Sequence, residues 1–91
     1  MITINRLEAE CSRAIKKLTP DDILRVRTWK GDRGFSISLS DDGYELIEDG
    51  FQNERYTFRT DTALRKAVRR IAKREFPRSH KLRFSLTAKR S

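Results

Sequence analysis

The chain has 91 residues, 36% of them apolar and 37% charged, with a formal net charge of +8. That length suits one domain with a modest core. A single Cys and a single His exclude an internal disulfide and a Cys/His zinc site, and no apolar run approaches the ~18 residues of a membrane helix. The opening MITINRLEAE has no apolar signal core, so a reducing cytosol is the expected compartment.

The first predicted element is a helix. Ile4, Leu7, Cys11, Ala14, Ile15 and Leu18 recur at three- and four-residue spacings. Asn5 followed by Glu8 has the form of a capping box, with Ile4 placed to staple against Ala9, and Lys16 and Lys17 suit the C-terminal end. Thr19-Pro20-Asp21-Asp22 breaks the pattern and can open one short helical turn.

Strands follow. Residues 23–30, 35–40 and 44–48 alternate in polarity, joined by Gly31-Asp32-Arg33-Gly34 and Asp41-Asp42-Gly43 as hairpin turns. A fourth strand, 54–59, follows the turn begun by Asp49-Gly50 and directs Tyr56 and Phe58 inward. The second helix carries the clearest stripe, Leu64, Ala67, Val68, Ile71, Ala72 and Phe76, with Thr60 or Asp61 as cap and Pro77 as stop. Leu82, Phe84 and Leu86 alternate in a last strand. The expected order is α-β-β-β-β-α-β. It describes one α+β domain over residues 1–88, with an antiparallel sheet of four to five strands and two helices packed on one face. Residues 89–91 are expected to fray as a basic C-terminus.

Charge is distributed unevenly along this order. Residues 59–91 hold twelve Lys/Arg against two acids, while residues 1–58 hold nine against eleven. Arg65, Lys66, Arg69, Arg70, Lys73 and Arg74 are three basic pairs at four-residue steps, predicted to cover the helix face opposite the apolar stripe. Like charges at this spacing repel by a few tenths of a kcal/mol per contact, and only Glu75 interrupts them. A phosphate-binding surface accounts for such a face, extended by Arg59, Arg78, Lys81 and Arg83. The competing readings are a solvated face in an arginine-rich chain, an acidic protein partner and lipid headgroups. The alanines of the apolar stripe, Ala67 and Ala72, argue against a membrane-surface helix.

Three further groups stand beside their plainer explanations. The outer sheet face is expected to show Arg25, Arg27, Trp29, Ser36, Ser38, Arg55, Thr57, Arg59, Lys81 and Arg83, which suits stacking on single-stranded RNA but also describes an ordinary solvated face. The acids Asp41, Asp42, Glu45, Glu48 and Asp49 could hold Mg²⁺, or dock on the basic helix of a second copy to form a homo-oligomer; turn chemistry explains the aspartates, and Glu45 and Glu48 should face opposite ways. His80 lies among basic residues, as an RNase acid or base would, but without an obvious partner. Cys11 falls on the apolar stripe and reads as core.

The order α-β-β-β-α resembles that of the double-stranded-RNA-binding domain, whose last helix also begins with basic residues. This chain departs from it in the added strands 54–59 and 82–86, and in charge that runs from Arg65 to Arg74. No site residue carries over. The resulting expectation is a small non-catalytic nucleic-acid-binding protein of low sequence specificity, without cofactor or metal. The alternative is a protein-interaction or self-assembling module.

Overall fold

The computed structural model describes residues 2–88, so the expectation for residues 89–91 lies outside the described residues. The elements are β1 (Ile2–Thr3), a 3-10 turn (Ile4–Arg6), α1 (Leu7–Lys17), β2 (Asp22–Thr28), β3 (Gly34–Ser40), β4 (Gly43–Asp49), β5 (Asn53–Phe58), α2 (Asp61–Glu75) and β6 (Lys81–Ala88). The α+β class is as expected. The sheet, however, has six strands rather than four or five, in the order β1-β6-β2-β3-β4-β5, with every neighbouring pair antiparallel. The α-β-β-β-α order is thus interrupted by β5 and flanked by β1 and β6.

The start of the chain departs most from its expectation. The Asn5–Glu8 capping box does not form: Arg6 is the N-cap of α1 and makes no side-chain cap bond. The sheet supplies the reason. Ile2 and Thr3 pair with Leu82 and Lys81, and the Ile4 amide donates to the His80 carbonyl at 2.8 Å. The chain must leave a strand and enter a helix within three residues, and a 3-10 turn makes that corner. At Thr19–Asp22 a hydrogen-bonded turn forms, with the Asp22 amide donating to the Thr19 carbonyl at 3.0 Å. Cap and stop of α2 are as expected: the Thr60 side chain accepts from the Ala63 amide, and the helix ends at Glu75, two residues before Pro77.

Alternation divides the sheet into two faces. Leu24, Val26, Phe35, Ile37, Leu46 and Leu82 meet Leu7, Cys11, Ile15, Leu64, Val68 and Ile71 of the two helices, all nearly or fully excluded from solvent. Burial of each larger member contributes on the order of 1.5–3 kcal/mol. Cys11 belongs to this core; burial first, and then Glu10 and Glu8, push its thiol up to about 12.

Among the described residues, no helix covers the opposite face. The register places Arg83 beside Arg27 and Ser85 beside Arg25, with Ser36, Ile47 and Arg55 continuing the second row. Gly34 lies opposite Arg27, where a Cβ would collide with the Val26 carbonyl and the Arg27 side chain. Its absence lets Arg27 reach Asp49 at 3.2 Å.

Candidate nucleic-acid interface

The basic row of α2 divides into members that hold the protein together and members without an acidic partner among the described residues. Arg74 is the clearest correction. It was expected on the solvent face, but its Nε and Nη2 donate to the two carboxylate oxygens of Glu48 at 2.8 and 2.7 Å. Glu48 is only 1% exposed and also accepts from the Tyr56 hydroxyl at 3.1 Å. The geometry is bidentate and charge-assisted, the strong form of an arginine–carboxylate contact. Helical arithmetic explains the placement: at 100° per residue Arg74 borders the apolar stripe, three residues after Ile71. Arg69 reaches back to Glu8 of α1 at 2.7 Å, with both side chains largely in solvent. Arg65 lies 3.9 Å from Asp61. Lys66, Arg70 and Lys73 are exposed and have no acidic partner among the described residues. They form one ridge at four- and three-residue spacing along a helix of about 23 Å.

The expected extension of this patch does not form a single surface. Arg59 stands beside Asp41 and Asp42 near the β3–β4 turn. Lys81 and Arg83 belong to the open face of the sheet, on the opposite side from α2. Arg78 lies in the loop between α2 and β6.

The acidic group is dispersed. Asp41 and Asp42 are exposed in their turn, Glu45 lies 3.7 Å from Arg55 on the open face, Asp49 pairs with Arg27, and Glu48 is buried on the opposite face. Glu45 and Glu48 do face opposite ways, as alternation requires. No group of three or more metal-ligating side chains converges among the described residues. His80 is exposed in the loop between α2 and β6.

Beneath Glu48 lies a residue that periodicity would have located. Glu75 follows Leu64, Val68 and Ile71 by eleven, seven and four residues, so it falls on the apolar stripe, and it is 0% exposed. It also occupies the last turn of α2, where the helix dipole disfavours an acid. Its carboxyl serves the β4–β5 turn, accepting from the Phe51 amide at 3.0 Å, with the Gln52 amide at 3.4 Å. Gly50 makes room for it: a Cβ there would overlap the Glu75 carboxyl.

The two glutamates are shifted in opposite directions from the ordinary carboxyl range. The Arg74 hydrogen bonds hold Glu48 below the ordinary carboxyl range, whereas burial, followed by the neighbouring Glu48, pushes Glu75 above it. The contribution of Glu48 to stability is complete above the ordinary glutamate value of about 4.3 and is lost as pH falls through its folded value. That of Glu75 is complete below about 4.3 and is lost as pH rises through its folded value. Glu75→Gln keeps a carbonyl for the Phe51 amide and offers an amide N–H to Glu48. Urea unfolding at a series of pH values should show wild-type stability declining above about pH 4.5 and the variant remaining flatter towards neutrality. Parallel pH profiles would contradict this assignment.

Compared with known proteins, the chain matches no family model, no curated protein and no solved structure, and the case for its function rests on its own residues.

Proposed function

We propose that this protein binds nucleic acid without catalysis, contacting phosphates through the outer ridge of α2. The observation that carries the reading is the unpaired state of Lys66, Arg70 and Lys73 among the described residues. The fold uses its other α2 cations in specific ways, with Arg74 on a buried carboxylate and Arg69 across to α1. It leaves these three adjacent, mutually repelling and available. Phosphates relieve that repulsion and release counterions as they bind. Such contacts position a polyanion without reading its bases, so low sequence specificity follows.

No helix of the described residues is long and apolar enough to cross a membrane, and the cytosol is the compartment in which this reading places the chain. The self-assembly alternative retains Asp41 and Asp42 as its exposed acids. Fluorescence anisotropy with labelled RNA and DNA at low salt tests the proposal. Saturable binding that weakens steeply as salt rises is expected; oligonucleotides left free at low salt would refute it.

A further inference from the structure

One end of the sheet gathers the β2–β3 turn, the β4–β5 turn and the loop from α2 to β6. Two of the three large hydrophobic side chains exposed among the described residues are found there, Trp29 at 54% and Phe51 at 62%. A large exposed ring in a turn is a poor choice for stability, because its apolar surface stays in water. Each ring has an arginine over it: the Arg83 guanidinium carbon is 5.6 Å from the Trp29 ring centroid, and that of Arg33 is 4.4 Å from the Phe51 centroid. Arg33 Nε is shielded from solvent and finds no acceptor among the described residues.

Backbone geometry presents both rings. Gly31, at φ +80°, closes the turn that carries Trp29, and its amide donates to the Thr28 carbonyl at 2.9 Å. The buried Glu75 carboxyl holds the Phe51 amide at the C-terminal end of α2. Trp29 borders a hollow of about 560 Å³ lined also by Lys30, His80 and Lys81. The acid in that lining, Asp32, is engaged by the Thr28 hydroxyl. Lys30, Arg33, Lys81 and Arg83 therefore gather at an end of the sheet where two rings stand in water.

We propose that this end of the sheet is a stacking site for unpaired RNA bases, with Trp29 and Phe51 each taking a base and the neighbouring cations taking the adjoining phosphates. This rests on the nucleic-acid reading and narrows it. Bases inside a duplex offer no free face to a protruding ring, so the strand must be single. Arginine beside each ring adds cation–π attraction and a phosphate partner. The hydroxyls of Ser85 and Ser36 flank Arg25 on the same open face. A hydroxyl can both donate to and accept from a ribose 2′-hydroxyl, the group that distinguishes RNA from DNA.

Trp29 is the only tryptophan of the chain, so its emission reports directly on the site. The full chain is titrated with oligouridylate, oligothymidylate and an RNA hairpin. Quenching by oligouridylate is expected, with weaker binding of the other two. Trp29→Ala and Phe51→Ala should each weaken oligouridylate binding by about 5- to 150-fold. The slope against salt should stay unchanged, and Trp29→Phe should restore much of the loss. Unchanged affinity in both alanine variants, alongside loss in Lys66→Ala/Arg70→Ala/Lys73→Ala, would overturn the stacking site and leave the nucleic-acid reading standing. Absence of binding to all three probes would defeat both. Equal affinity for oligothymidylate or the hairpin would overturn the choice of single-stranded RNA. A Trp29-dependent dimer with no quenching would assign the rings to a protein contact instead.

Discussion

Arg74→Ala should lower the stability of the fold by about 3–5 kcal/mol near neutral pH, because it leaves a buried carboxylate without its counter-charge. Glu48 is 1% exposed and receives both Arg74 bonds at 2.7–2.8 Å. The Tyr56 hydroxyl remains as a donor, but one neutral hydrogen bond does not replace a bidentate guanidinium. For a domain of this size each kcal/mol shifts the melting temperature by about 4–8 °C, so a drop of at least about 12 °C is expected. Two controls isolate the cause. Glu48→Gln added to Arg74→Ala should recover part of the loss by removing the stranded charge. Arg70→Ala, one turn earlier and exposed, should stay within about 0.5 kcal/mol of wild type. Equal melting curves for Arg74→Ala and wild type would show that the Glu48 pair does not support the core.

Replacing Lys66, Arg70 and Lys73 together with Ala should have the converse effect. The three side chains are exposed and unpaired among the described residues, alanine favours the helix, and three repelling charges disappear, so the melting temperature should hold or rise. Affinity for single-stranded RNA should fall. Each single-strand phosphate contact contributes a salt exponent of about 0.7, so three lost contacts correspond to about 100-fold in affinity near 0.1 M salt. One variant thus damages the fold without touching the phosphate ridge, and the other removes the ridge while sparing the fold. Intact affinity in the triple variant, measured by anisotropy on folded protein, would transfer the phosphate contacts to the sheet.

How far the residues announce this arrangement depends on the signal each carries. The four strands from β2 to β5 and the helix α2 were legible because alternation and a 3.6-residue stripe are local and repeat several times. β1 was not, since two residues hold no period and its pairing with β6 is a contact across most of the chain. The open sheet face was readable as Arg25, Arg27, Ser36 and Arg83, and the register places them together. The α2 row misled at Arg74 because counting basic residues ignored the angle that sets it beside the stripe. Glu75 carried two signals that were available, its position on that stripe and an acid at the dipole's negative end. Phe51 carried one: a large apolar residue between Gly50 and Gln52, where turn chemistry calls for small polar ones. Its meeting with Arg33 depends on two turns that only the folded sheet brings together.

The most direct test of phosphate binding by the α2 ridge is the dependence of log K on log salt for a single-stranded RNA, measured in parallel for wild type and for Lys66→Ala/Arg70→Ala/Lys73→Ala. The account predicts a steep negative slope for wild type and a slope shallower by about 2 for the variant, the loss of three single-strand phosphate contacts. Two parallel lines would contradict it, because Lys66, Arg70 and Lys73 would then contact no phosphate.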